Sequence, residues 1–479
     1  MADRLRIAVL GAGPGGYPAA FLAAERGMDV TLIDTRTQPG GVCLYEGCIP
    51  SKALLHAASV VTDAREAAAI GLTFGAPVLD LDRLRSWKDG VVRGLTGGLG
   101  QIARARKVRY VQGRGRFVDA HTLRVAHDGE LTEVEFDAAI VATGSSASIP
   151  APLRLDSPRV WDAGAALALP EVPATLLVVG GGYIGLEMAT VYAALGSRVT
   201  VVEATGGLLP GADRDLVEVL AKRVAATVEQ VHLHMTVQAL TETDDGGVRA
   251  TLAGSSGTAE VRFDRVLIAT GRRPNSADLG LEGTRALVTP RGFVEVDVQR
   301  RTAEPSIYAI GDVAGEPMLA HKATHEARVA VEAIAGEPSA WEPPVIPAVI
   351  YTDPEVAWCG LTETEARSRG LDIEVARFPW SASGRAATAA DREGLTKWLV
   401  EAGSGRLLGA GIVGRGAGEL IGEATLAVEM GARLEDIRLT VHAHPSRSET
   451  LMEAAEAFFG TSPHYIARNR TLTPQPPTP

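Results

Sequence analysis

The sequence predicts an α/β fold: two halves, each opened by a strand–turn–helix–strand unit, followed by an α+β domain. Three observations carry this. The apolar, β-branched run Ile7–Leu10 enters Gly11-Ala12-Gly13-Pro14-Gly15-Gly16 and then a helical stretch from Tyr17 to Arg26. The same order returns at Leu176–Val179, Gly180-Gly181-Gly182-Tyr183-Ile184-Gly185 and a further helix. From about Pro347 the pattern changes to alternating apolar strands, Val349–Tyr351, Thr396–Val400 and Ala410–Val413, mixed with amphipathic helices.

Length and composition bound what such a chain does. Its 479 residues accommodate about three domains at roughly 150 residues each. With 46% hydrophobic and 22% charged residues it belongs with globular rather than disordered chains. A net charge of -11 lacks the basic footprint that nucleic acid or an anionic membrane selects, so neither is an expected partner. The first strand meets Gly11 at once, which leaves no room for a signal peptide, and no apolar run reaches membrane-spanning length. A cytoplasmic location is expected, and there the three cysteines do not serve as structural staples.

Taken in order, the first unit continues through the strand Val30–Ile33 to Asp34, 23 residues after Gly11. That is the spacing of a dinucleotide-binding βαβ unit. Gly11, Gly13 and Gly16 let the backbone turn and approach a diphosphate at the helix N-terminus, and the carboxylate accepts from ribose hydroxyls. The second unit runs through Val199–Val202 to Glu203, again 23 residues after Gly180, with Gly182 and Gly185 completing its turn. Each copy is followed by an Ala-Thr-Gly segment, Ala142-Thr143-Gly144 and Ala269-Thr270-Gly271. The chain therefore carries an internal duplication and two Rossmann-like dinucleotide sites. Downstream, Ile307–Ile310 leads into Gly311-Asp312, where Asp312 either binds a sugar-like chain or caps the helix starting near His321. Thr473–Pro479 is polar and proline-rich, a flexible tail.

Cys43 and Cys48 lie in Gly40-Gly41-Val42-Cys43-Leu44-Tyr45-Glu46-Gly47-Cys48-Ile49-Pro50-Ser51-Lys52, five residues apart. No metal site is expected, because Cys359 stands alone far downstream and no second close pair completes four ligands. Two readings of the pair stand side by side. One is a pair of buried thiols; the other is a redox disulfide in a short loop at a helix N-terminus, where the helix dipole favours thiolate.

These motifs resemble the flavin-dependent pyridine nucleotide-disulfide oxidoreductases, over nearly the whole chain. The resemblance rests on Gly11–Gly16, Gly40–Lys52, Gly180–Glu187, Ala269–Asn275, Gly311-Asp312, Met318–Lys322, Tyr351–Ala357 and His442–Pro445. It implies two Rossmann-like dinucleotide-binding domains plus a C-terminal α+β dimerisation domain. The expected divisions are 1–150 binding FAD and carrying the disulfide, 151–277 binding NAD, 278–346 completing the FAD site, 347–472 for dimerisation and 473–479 as the tail. By the same resemblance Cys48 is the flavin-side thiol, Cys43 the interchange thiol, and Lys52 pairs with Glu187 beside the flavin. Asp34, Lys52, Thr143, Gly144, Asp312, Ala320 and His321 join the glycines of the first turn at FAD. Glu203 and Gly271 join Gly180, Gly182 and Gly185 at NAD. His444 is the acid/base group and Glu449 its orienter, acting across a homodimer, with Pro445 opening their helix; His442 is structural.

The implied reaction is oxidation of dihydrolipoyl groups. With no lipoyl segment ahead of Ile7, these are expected on the lipoyl domains of a 2-oxoacid dehydrogenase or glycine-cleavage complex. Relatives using NADPH place basic residues after the second ribose acid, whereas here none stands between Glu203 and Arg214. Mercuric reductases carry a C-terminal cysteine pair, absent here after Cys359. Reduction of another small disulfide, or a redox-silent structural subunit, are the alternatives, and the latter sits poorly with Cys43, Cys48, His444 and Glu449. Four departures from the family pattern matter. Tyr45-Glu46 replace Asn-Val between the cysteines, placing a carboxylate that disfavours thiolate unless paired. Arg447 replaces an apolar residue, Asp34 shortens a glutamate, and Cys359 replaces a valine as a small buried hydrophobe.

Overall fold

The computed structural model describes residues 4–255 and 257–466, so the tail expected at 473–479 lies outside the described residues. Chain contacts divide it into two units, one from Met1–Ala57, Pro77–Gly180 and Val237–Glu342, the other from Ala58–Ala76, Gly181–Thr236 and Pro343–Pro479.

In the first unit β1 (Arg6–Leu10), α1 (Gly16–Glu25) and β2 (Asp29–Asp34) form the expected crossover. Their sheet has the order Ile307–Ala309, Ala138–Val141, β1, β2, Arg109–Gln112. All four neighbouring pairs are parallel, with Val9 opposite both Leu32 and Ile140. Strands covered on both faces need continuous apolar runs rather than alternation, and Val9, Leu32 and Ile140 are completely buried. On one face α1 packs through Ala19, Ala20 and Ala23. On the other, Ala8, Leu10 and Ile33 meet Phe117, Leu123 and Val125 of an antiparallel meander. The second copy begins in this unit, where Thr175–Val179 pairs in parallel with Arg265–Ile268.

The duplication extends to backbone detail. Gly11 has φ +101°, and a Cβ there would lie 2.4 Å from the carbonyl oxygen of Ala142; Gly180 has φ +111° and the same 2.4 Å to Ala269. Only glycine tolerates both the dihedral and the approach. That explains why each glycine turn is answered by its own Ala-Thr-Gly segment.

The second unit contains an antiparallel five-stranded sheet of order Ala348–Ile350, Val356–Gly360, Leu407–Val413, Leu395–Glu401, Ile373–Pro379. Trp380 and Trp398 are fully buried in its core, and both indole N–H groups are satisfied. Trp398 donates to Leu451 O at 3.0 Å, while Trp380 donates to Thr396 Oγ1, which donates on to Thr450 Oγ1, each at 2.9 Å. These bonds fasten the first turn of the helix Glu449–Phe459 to the sheet. Cys359 is buried as expected, and burial pushes its thiol up to about 11.

One expected boundary is corrected: this helix begins at Glu449 rather than Pro445. Ser446 Oγ takes the Glu449 N–H at 3.3 Å and bonds Ser448 Oγ at 2.9 Å, so local side-chain bonds replace the helical ladder there. No described helix is long and apolar enough to cross a membrane.

Candidate active site

Cys43 sits in the six-residue helix α2 (Gly41–Glu46), and Cys48 is the first residue of α3 (Cys48–Glu66). The expected loop is thus a helical turn and a single hinge residue. Gly47 forms that hinge because a Cβ there would come within 3.0 Å of Val42 O and 3.2 Å of Cys43 Cα. The chain doubles back tightly, and the thiols hydrogen-bond to one another with no disulfide between them. The bond to Cys48 holds the Cys43 thiol well above its ordinary value; burial and the charge of Cys48 add to this, and Lys52 opposes it. Cys48 is the exposed member of the pair.

The carboxylate between the cysteines is paired. Arg36 Nη2 donates to Glu46 Oε1 at 2.7 Å, and its guanidinium lies 4.4 Å from the centre of the Tyr45 ring. Tyr45 Oη also donates to Gln38 O at 3.2 Å. The two departures between the cysteines therefore form one clamp with Arg36, a residue that sequence reasoning passed over.

Asp34 and Glu203 hold their loops identically. Asp34 accepts from Ala12 N–H at 2.7 Å and Arg36 N–H at 2.9 Å; Glu203 accepts from Gly181 N–H and Thr205 N–H, each at 2.7 Å. The shorter aspartate makes the same two bonds as the glutamate. Burial raises the Glu203 carboxyl, but bonds from Thr205, Gly181 and Ala204 outweigh it and hold it below the ordinary range. Both turns fit a dinucleotide. A Cβ on Gly16 would meet Gly11 O and one on Gly41 the Gly13 backbone, whereas Gly182, Gly144 and Gly271 face open space. Gly185 is buried in the helix Tyr183–Leu195.

Asp312 does not cap the following helix. That helix starts at Ala320 with Leu319 at its N-cap and no side-chain cap, while Asp312 accepts a short bond from Ser145 Oγ. Arg272 Nε donates to that same hydroxyl at 2.7 Å. Beneath the turn, Gly311 N–H donates to Glu326 at 2.6 Å and Lys322 Nζ donates to Gly311 O at 3.1 Å. Thr143 Oγ1 donates to Asn275 O at 2.7 Å. Ala320 and His321 open the helix beside this turn. In sequence, Arg272 and Lys322 lie within motifs of the resemblance without a role of their own, and Glu326 reads as an ordinary helix charge.

In the second unit Glu449 Oε1 lies 2.8 Å from His444 Nδ1, and its other oxygen accepts from Ser446 N–H at 2.7 Å. His444 is 68% exposed and Glu449 15%. Arg447 turns away to Asp391 at 2.9 Å. Glu187 is buried and accepts from Tyr351 N–H at 3.2 Å. Lys52 belongs to the first unit and Glu187 to the second.

His442 lies between two acceptors, Thr440 O at 2.9 Å and Glu423 Oε1 at 2.8 Å. Satisfying both requires the imidazolium. The bond to Glu423 raises its pKa most, burial opposes, and Thr440 O and the charges of Glu423 and Glu449 add. A raised folded-state pKa gives stability that is full below the unfolded value and lost as pH climbs through the folded one. Unfolding His442→Gln beside the parent protein from pH 6 to 9 should show the largest deficit at pH 6, shrinking upward; a deficit that grows with pH overturns the assignment.

The glycine turns with their acids, the cysteine pair and the His–Glu pair define a nucleotide-linked disulfide oxidoreductase. The chain belongs to the pyridine nucleotide-disulphide oxidoreductase family, whose model matches residues 5–327, with the family's dimerisation domain at 346–455. Among its relatives are the dihydrolipoyl dehydrogenases of Vibrio cholerae serotype O1 and Haemophilus influenzae. They are 47% and 48% identical over 464 and 466 residues, covering 96% of this chain and of each relative. Among solved structures, LpdA from Mycobacterium tuberculosis aligns with a TM-score of 0.88 at 28% identity, over 95% of this chain and 99% of that one. RclA, an HOCl-induced flavoprotein disulfide reductase from Escherichia coli, aligns with 0.83 at 28%, over 93% and 98%.

Proposed function

We propose that the chain is a dihydrolipoyl dehydrogenase, oxidising protein-bound dihydrolipoyl groups with NAD through the Cys43–Cys48 disulfide and FAD. The observation that carries the reading is the thiol pair in mutual contact at the start of α3, with Lys52 one turn on. His444, oriented by Glu449, takes the proton from one substrate thiol. The resulting thiolate attacks Cys43 Sγ, the Cys43–Cys48 bond breaks, and Cys48 leaves as thiolate. The second substrate thiol then displaces Cys43 from the mixed disulfide, leaving a cyclic disulfide product and a reduced cysteine pair. A bound FAD would supply the two-electron chemistry that links the reduced Cys43–Cys48 pair to NAD. Residues 1–150 and 278–346 would hold FAD through the Asp34 and Asp312 turns, Lys52 and Glu187 would serve the flavin, and 151–277 would hold NAD.

The dimerisation domain and the exposure of His444 support a homodimer in which His444 and Glu449 serve the disulfide of a second copy. The dihydrolipoyl groups come from the lipoyl domains of 2-oxoacid dehydrogenase or glycine-cleavage complexes, and a cytoplasmic setting suits a working dithiol. Anaerobic addition of NADH to the purified yellow protein should develop a long-wavelength absorption band and expose two additional alkylatable thiols, and Cys48→Ser should remove the band. A parent protein without the band, whose two thiols alkylate freely before any reductant is added, overturns the reading.

A further inference from the structure

The segment after Glu203, Ala204-Thr205-Gly206-Gly207-Leu208-Leu209-Pro210-Gly211-Ala212, contains no charged side chain. It nevertheless follows one defined course. Thr205 N–H is held by Glu203, and Thr205 Oγ1 donates to Gly207 O at 3.0 Å. Leu209, at φ +48°, donates its N–H to Gly181 O at 2.9 Å, which ties the segment back to the second glycine turn. A Cβ on Gly181 would meet Leu208 Cδ2 at 2.7 Å, so the leucine packs directly on that turn.

Arg214 holds the far end of the segment. Nη1 donates to Leu208 O at 2.8 Å, Nη2 to Leu209 O and Ala212 O at 2.6 Å each, and Nε to Ala212 O at 3.2 Å. A guanidinium has five N–H donors, and four of them are spent here on three backbone carbonyls. Gly207 is required for this approach, since a Cβ there would lie 2.7 Å from Nη1. Arg214 is itself fixed by its neighbours. Asp213 and Asp215 each receive the buried Lys397 ammonium at 2.7 Å, and Glu363 receives it at 2.9 Å. Arg377 also bonds Asp215 at 3.0 Å. Lys397 lies on the antiparallel sheet, so the tripeptide is pinned to that sheet by its acids and grips the segment by its arginine.

We propose that Arg214 is a positioning residue for the nicotinamide dinucleotide. It shapes Leu208–Ala212 into an apolar wall beside the ribose acid and keeps the nearest cation of that stretch occupied. The site then presents a carboxylate and apolar surface to the adenosine ribose, chemistry suited to a free 2′-hydroxyl and unsuited to a 2′-phosphate. The inference rests on the proposal that residues 151–277 bind NAD through the second glycine turn and Glu203. Preorganising a loop acts on binding cost rather than on the reacting atoms, so its signature is a split between KM and kcat.

The test uses the full-length flavin-loaded enzyme with NADH and a small artificial electron acceptor, which bypasses the disulfide, His444 and the lipoyl substrate. Arg214→Met should raise KM for NADH about tenfold with kcat little changed, as lost preorganisation implies. Arg214→Lys, which keeps the charge but cannot make the forked contacts, should also raise KM, and hydrogen exchange at Leu208–Ala212 should quicken in both. NADPH should remain a poor donor throughout. An unchanged KM in either folded variant overturns the proposal, as does a fall in kcat at constant KM. A parent enzyme that NADH cannot reduce overturns the NAD reading, and this inference with it.

Discussion

Glu449→Gln should lower dihydrolipoyl turnover by about 10²- to 10⁴-fold, the range over which a positioned general base contributes. The carboxylate lies 2.8 Å from His444 Nδ1 while its second oxygen takes Ser446 N–H, so one side chain both orients the ring and closes the preceding turn. Glutamine can keep one of those contacts as an acceptor, but its uncharged amide no longer stabilises an imidazolium after proton transfer. The fold should survive, because Thr450 and Leu451 still fasten the helix to the sheet. NADH oxidation by small electron acceptors should therefore persist. Mixing His444→Ala chains with Cys48→Ser chains adds the cross-chain test. One of the two sites in each heterodimer then holds every working part, and part of the lipoyl activity should return. Demonstrated heterodimers without lipoyl activity would place the base in the chain that carries the disulfide.

Features that repeat, or that lie close along the chain, were legible in the sequence. The two 23-residue spacings, Gly11 to Asp34 and Gly180 to Glu203, become two turns held by matching pairs of N–H bonds. The five-residue cysteine spacing becomes a contact, and His444 finds Glu449. What was not legible depends on partners far apart in sequence. Glu46 beside the cysteines reads as a liability until Arg36 is seen to neutralise it. Lys322 and Glu326 read as ordinary helix charges, yet they are buried and hold Gly311 from below. Pro445 reads as a helix start because proline favours the first helical position, but Ser446 and Ser448 divert the backbone and delay the helix to Glu449. In sequence, Arg214 reads only as a cation too distant from Glu203 to serve a 2′-phosphate. The structure supplies a stronger reason, namely that four of its N–H groups are committed to carbonyls.

NADPH is expected to be at least a hundredfold poorer than NADH in kcat/KM. The Glu203 carboxylate is 8% exposed and held ionised below its ordinary range by the Thr205, Gly181 and Ala204 bonds, against the opposing effect of burial. On the proposal that it accepts from a ribose hydroxyl of NAD, it would confront a 2′-phosphate with like charge. Two unit charges about 4 Å apart at an effective dielectric of about 20 repel by roughly 4 kcal/mol. Tenfold in efficiency corresponds to about 1.4 kcal/mol, so even half that repulsion, added to the lost hydroxyl bond, yields a hundredfold. No relief comes from the neighbouring segment, whose nearest cation, Arg214, is spent on Leu208, Leu209 and Ala212. Glu203→Gln separates this electrostatic effect from the scaffolding role of the same side chain. Its amide removes the charge but presents one acceptor where Gly181 and Thr205 N–H groups need two, so NADH efficiency should fall while the NADH-to-NADPH ratio narrows. Steady-state kinetics of the parent and this variant with both nucleotides decide the matter. Equal efficiencies in the parent enzyme would show that Glu203 holds its loop without reading the ribose.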